Sequence, residues 1–205
     1  AGLASGVVDA RKTKYCPGFF QLPGQAHRYR CWRRGGHGSV ALEEAVVQSC
    51  DVYFYDLAHA MGIERLHGFL GQLGFGSRTG IDVAGELGGL VPSREWKERA
   101  RKQTWYPGET LIVGIGQGAF LATPLQLAVA TATMANRGRF IQPRVARASQ
   151  VPGSPEALEL PALSHGVEVG DPHHWEQVIQ AMTEVVEGAR GTAKRIQTKA
   201  YRIAG

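Results

Sequence analysis

Cysteine is scarce in this chain of 205 residues: there are three, Cys16, Cys31 and Cys50, and no two form a CxxC pair. That excludes zinc ribbons and thioredoxin-like redox centres. An odd count also leaves at least one thiol outside any internal disulfide. No run of about 18 apolar residues is present, so no segment can span a bilayer as a helix. The opening Ala1-Gly2-Leu3-Ala4-Ser5-Gly6 lacks the basic and apolar regions of a signal peptide. The dinucleotide fingerprint GxGxxG is missing. Val113-Gly114-Ile115-Gly116-Gln117-Gly118 reads GxGxG, with no strand–turn–helix and no downstream acid to support it.

What is present fits a globular core: 43% hydrophobic and 20% charged residues argue against disorder. The net charge of +5 is a mild basic bias. It is concentrated in two knots, Arg28 to Arg34 and Arg94 to Lys102, which read as a solvated face or a match to acidic substrates.

Periodicity predicts helices more often than strands. A helix starts near Val40 with Leu42, Ala45 and Val46 on one face, and breaks at Ser49-Cys50-Asp51. A second carries Phe54, Leu57, Ala58 and Met61 and ends at Gly62, with Asp51 as its expected cap. A third carries Leu66, Phe69, Leu70 and Leu73. Residues 74–118 read mostly as loop, with a short helix around 93–100. Thr123-Pro124-Leu125-Gln126 combines an N-cap, a proline at the first helical position and a capping-box glutamine. That helix runs to Asn136. Phe140-Ile141 and Val145 predict a strand pair, and 150–170 a surface loop. Asp171-Pro172 opens a helix with Trp175, Val178, Ile179, Met182, Val185 and Val186 on one face. Tyr201–Ala204 reads as a final strand. The sum is an α/β (α+β) domain, an antiparallel sheet covered by helices.

Residues 1–38 show little regular pattern, and an irregular stretch of that length needs a staple or a function. Cys16, Cys31, His37 and Cys50 form a Cys3His set, the number a closed tetrahedral zinc takes. Their spacings are wide, so a disulfide or buried thiols remain open. His27 competes with His37, which is favoured because Gly36 and Gly38 let the backbone turn its ring inward.

Ser49-Cys50-Asp51-Val52-Tyr53-Phe54-Tyr55 resembles the second active-site motif of the penicillin-binding transpeptidases. Gly114 to Gly118 followed by Thr123-Pro124-Leu125-Gln126-Leu127-Ala128 resembles the stretch between that family's second and third motifs. Gly191-Thr192-Ala193 and Tyr201-Arg202-Ile203-Ala204-Gly205 look like the approach to its third motif. Trp32, Gly36-His37-Gly38 and Tyr106-Pro107-Gly108 are most similar to the elongation-specific class B group. The resemblance covers essentially all 205 residues.

The family's Ser-x-x-Lys is absent, since no serine lies three residues before a lysine, and so is its Lys-Thr-Gly. Ser77-Arg78-Thr79-Gly80 imitates the latter in the wrong place. Residues 1–205 are therefore expected to be an internal part of a transpeptidase domain, an excerpt of a longer protein without chemistry of its own. The resemblance implies a fold like that of serine β-lactamases. It implies a parent D,D-transpeptidase that cross-links peptidoglycan stem peptides through an acyl-serine and is acylated by β-lactams. In it, Ser49 would relay a proton to the leaving amine. Asp51, where relatives often carry asparagine, would hold the catalytic lysine by charge. Some members of the group carry a zinc of mixed Cys, His and Asp ligands here; the matching positions are Cys16, Cys31, His37 and Cys50, which implies a structural Zn2+. The family also implies a membrane anchor outside this stretch, a periplasmic location at the inner membrane, a glycan-polymerising membrane partner and rod-shape scaffold proteins. Rival readings are a zinc-stabilised module without catalysis, or one binding nucleic acid through Arg28, Arg30, Arg33 and Arg34. The second lacks zinc-finger spacing and wider aromatic–basic interleaving.

Overall fold

The computed structural model describes residues 1–161 and 163–205. After a series of turns, four short strands occupy the region expected to be irregular: β1 (Lys14–Cys16), β2 (Phe19–Gln21), β3 (Arg28–Arg30) and β4 (Gly38–Val40). Three residues are too few to show a period of two in sequence. β1 pairs antiparallel with β4, setting Cys16 opposite Gly38, and β2 pairs antiparallel with β3. Two glycines let the ribbons close on each other. A Cβ at Gly36 (φ 78°) would lie 2.1 Å from the Cys16 carbonyl oxygen, and one at Gly18 (φ 95°) 2.2 Å from that of Arg34.

Helices α1 (Leu42–Val47), α2 (Asp51–Met61) and α3 (Ile63–Gln72) follow, with breaks at Ser49-Cys50 and at Gly62. α2 is the central element. Val52, Tyr53, Tyr55, Ala58 and Met61 are all buried. It is covered on several sides, so the single apolar face expected from Phe54, Leu57, Ala58 and Met61 understates its burial. α4 (Arg94–Arg101) starts on Ser93, whose hydroxyl accepts the Trp96 N–H.

α5 (Pro107–Gly114) falls inside the stretch expected to be loop. Its two glycines depress helix propensity, and tertiary packing overrides it. A Cβ on Gly114 would come 2.3 Å from the Ala58 Cβ, so this glycine serves the close approach of α5 to α2. Part of the glycine-rich run thus has a packing role.

α6 (Pro124–Ala135) has the expected capping box: the Gln126 N–H donates to Thr123 Oγ1 at 3.1 Å and the Thr123 N–H to Gln126 Oε1 at 2.9 Å. The Gln126 side chain, fully buried, also donates to the carbonyls of Ser77 and Gly88, both at 2.7 Å. β5 (Arg139–Ile141) pairs with β8 (Ser164–Gly166), and β6 (Ala148–Gln150) with β7 (Ala157–Glu159), all antiparallel. Val145 is outside any strand, and the expected 150–170 loop holds two of these strands. α7 (His173–Glu187) packs against α1. Tyr201–Ala204 is not a strand. It finds no strand partner among the described residues; Arg202 pairs with Glu187 at 3.5 Å, and the Gly205 N–H donates to the Met182 carbonyl at 2.8 Å. The mixed α/β class with antiparallel pairing flanked by helices holds, realised as two-stranded ribbons.

Candidate active site and metal centre

The break between α1 and α2 is a Schellman motif. The Ser49 N–H donates to the Val46 carbonyl at 3.1 Å and the Cys50 N–H to the Ala45 carbonyl at 2.8 Å. The residue after such a helix end takes the left-handed conformation and is usually glycine. Here it is Ser49, at φ 52°. The strain turns its side chain outward, and Ser49 is exposed.

Two more carbonyls at this helix end are met from distant segments. The Val47 carbonyl accepts the Thr192 N–H at 3.2 Å, and the Gln48 carbonyl accepts Trp32 Nε1–H at 3.0 Å. Asp51 is the first residue of α2 and not its cap. Cys50 holds the N-cap position without a side-chain bond. The Asp51 carboxylate instead accepts the Trp32 backbone N–H at 2.8 Å. Trp32 therefore grips the tripeptide on both sides of Cys50.

Cys50 points inward. Cys16, Cys31 and Cys50 are 1%, 3% and 0% exposed, and all three are free thiols. Their sulfurs and a His37 ring nitrogen all lie within 4.8 Å of one another. His37 Nδ1 is 3.6 Å from Cys16 Sγ and 3.5 Å from Cys31 Sγ. Zinc bonds of about 2.3 Å to sulfur and 2.0–2.1 Å to nitrogen, at tetrahedral angles, place N and S about 3.6 Å apart. Both nitrogen–sulfur distances match that spacing. His37 Nε2 is buried without a partner among the described residues, leaving Nδ1 as the ring atom that faces the sulfurs. Burial pushes the Cys50 thiol up to about 12 and raises that of Cys31; burial, then Arg33, lowers His37. His27 lies outside the cluster, edge-on to Tyr29 at 4.6 Å.

Local pairing explains the convergence. The β1–β4 ribbon carries Cys16 and leads out of His37, and Cys31 follows β3, its N–H donating to the Gly18 carbonyl at 2.8 Å. Burial of Ala45, Val52 and Tyr53 beside Cys50 seats the third sulfur against them.

Ser49 Oγ lies 3.0 Å from Thr192 Oγ1, 143 residues away. Nothing local in sequence signals that contact, nor the role of Trp32. The Lys-Thr-Gly imitation is occupied otherwise: the Glu86 carboxylate accepts the Thr79 N–H at 2.7 Å, the Thr79 hydroxyl at 2.6 Å and the Gly80 N–H at 3.0 Å. In the basic knot, the Arg28 guanidinium stacks 4.3 Å over Phe19.

The family model described as the penicillin binding protein transpeptidase domain matches residues 1–205. The chain is 44% identical over 205 residues to the peptidoglycan D,D-transpeptidase MrdA of Acinetobacter baumannii, covering all of this chain and 30% of that protein. A crystal structure of Pseudomonas aeruginosa penicillin-binding protein 2 in complex with WCK 5153 is similar at a TM-score of 0.89 and 48% identity, over 99% of this chain and 46% of that one. The complex of penicillin-binding protein 2 with MreC from Helicobacter pylori is similar at 0.80 and 32% identity, over 95% of this chain and 35% of that one. The chain thus spans about a third of the curated relatives it matches.

Proposed function

The chain belongs to the penicillin-binding protein transpeptidase family, and from that premise we propose that it is an internal part of the transpeptidase domain of a peptidoglycan D,D-transpeptidase. The parent protein cross-links stem peptides during cell-wall elongation through an acyl-serine and is acylated by β-lactams. The observation that carries this reading is Ser49-Cys50-Asp51 at a strained helix break, within a chain matched along its whole length.

The nucleophile and its lysine lie outside these 205 residues. Ser49 presents an exposed hydroxyl, able to pass a proton to the departing D-alanine amine. Asp51, anchored by the Trp32 N–H through one oxygen, has its second oxygen for a lysine ammonium.

Cys16, Cys31, His37 and Cys50 would hold a structural Zn2+, and through Cys50 it would fix the backbone between Ser49 and Asp51. A four-ligand closed site leaves no open position, so the metal supplies order and not a reaction step. The apparent free energy of structural zinc, roughly 10–16 kcal/mol in small peptides, is ample to order the glycine-rich ribbons.

The parent is anchored in the inner membrane with this domain in the periplasm, where stem peptides are. It works beside a glycan polymerase, because cross-linking needs fresh strands, and on a rod-shape scaffold; MreC is the partner of the Helicobacter pylori relative. The test is a fluorescent penicillin applied to the full-length protein. A covalent band that unlabelled β-lactam suppresses supports the proposal, and no band contradicts it.

A further inference from the structure

We propose that Thr192 is a positioning residue for Ser49, setting the direction in which the Ser49 hydroxyl presents its proton. The inference rests on the transpeptidase reading above and adds a residue to its proton-handling side.

Thr192 is placed with some care by the fold. It follows α7, where a Cβ on Gly191 would sit 2.2 Å from the Val185 carbonyl oxygen, so only glycine admits this path. The next residue is tied to the same helix end, the Ala193 N–H donating to the Val185 carbonyl at 3.0 Å. The Thr192 N–H is bonded to Val47, two residues before Ser49. An ion pair at 3.3 Å joins Arg190, just past the end of α7, to Glu44 of α1. The segment is thus docked on the end of α1 by one main-chain bond and an ion pair, and the Thr192 hydroxyl lies at 3.0 Å from Ser49 Oγ.

A hydroxyl has one proton to give, so two arrangements exist. In one, Thr192 donates to the Val47 carbonyl, 3.5 Å away, and Ser49 donates to Thr192. The Ser49 proton is then spent inside the protein. In the other, Thr192 gives up that long bond and donates to Ser49 at 3.0 Å. The Ser49 proton is then free to face the cleft, and its oxygen carries a donor that steadies it as the proton leaves. Both arrangements keep the 3.0 Å bond; the second gives up only the marginal one to Val47 and frees the proton of the exposed Ser49 for an acceptor outside the protein, so the second arrangement is the favoured one. Thr192 acts through Ser49.

The test uses the full-length protein with Thr192→Val, which keeps the shape and loses the hydroxyl, and Thr192→Ser, which keeps the hydroxyl. Acylation by a fluorescent penicillin is followed across concentration, to separate the limiting rate from half-saturation. Thr192→Val lowers the limiting rate about tenfold, the worth of one hydrogen bond, with half-saturation unchanged. Thr192→Ser returns it to within about threefold of the unsubstituted protein. In a Ser49→Ala background, Thr192→Val has no further effect. Acylation of Thr192→Val at the unsubstituted rate, or Thr192→Ser as slow as Thr192→Val, overturns the inference and leaves the transpeptidase reading standing. Failure of the unsubstituted protein to acylate overturns both.

Discussion

Replacing Ser49 by glycine and by alanine separates backbone strain from chemistry at one position. Ser49 sits at φ 52° in the left-handed slot of a Schellman motif. A residue with a Cβ pays about 1–2 kcal/mol there. Glycine avoids that cost but gains freedom in the unfolded chain, worth about 0.4–1 kcal/mol against it. Both variants lose the same bond to Thr192, which cancels in the comparison. Ser49→Gly is therefore expected to exceed Ser49→Ala by about 0.5–1 kcal/mol. That is roughly 1–3 °C in the melting temperature of a domain this size, measurable by calorimetry on the full-length protein. Penicillin acylation falls in both, by about 10²–10⁴-fold for a lost proton donor. The more stable variant is thus no better catalyst, as expected where strain serves a site. If Ser49→Ala melts at or above Ser49→Gly, the strain is not stored at this residue and the argument fails.

Other perturbations separate the metal from the fold. Cys50→Ser is nearly isosteric but removes one sulfur from the cluster; zinc affinity, read by competition with a chromophoric chelator, drops by at least about 100-fold. The acylation rate falls with it, by up to about 100-fold, because Ser49 and Asp51 lose their fixed spacing. An unchanged rate in a zinc-free variant would detach the metal from the tripeptide. Gln126→Leu leaves the Ser77 and Gly88 carbonyls without their donor. At about 0.5–1.5 kcal/mol per hydrogen bond lost, a loss of roughly 2 kcal/mol is expected in thermal unfolding, and a loss under about 0.5 kcal/mol would contradict the assigned role.

Legibility in the sequence followed the range of the interaction that decides each feature. The α6 start was readable because threonine, proline and glutamine act on their immediate neighbours. The break at Ser49-Cys50-Asp51 was readable from interrupted periodicity. Its mechanism was not, because a glycine usually marks a Schellman end and serine stands here instead. Asp51 looked like a cap by residue type; the Trp32 N–H, 19 residues back, competes for its carboxylate. The four donors could be named as a set from residue chemistry and resemblance. Their meeting depends on ribbons of three residues each, too short to carry a pattern. α5 was hidden because its formation rests on Gly114 meeting Ala58, a contact between separate helices. The sequence also led to a final strand at Tyr201–Ala204, which is not formed. Pairing requires a neighbour, and none is present among the described residues.

X-ray absorption at the zinc edge, on full-length protein purified without chelator, asks whether one cation joins the buried cysteines and His37 at the Ser49-Cys50-Asp51 break. The expected spectrum has one zinc per chain with three sulfurs at about 2.3 Å and one nitrogen at about 2.0 Å. Metal-free protein in which two of Cys16, Cys31 and Cys50 are joined as a disulfide would contradict it.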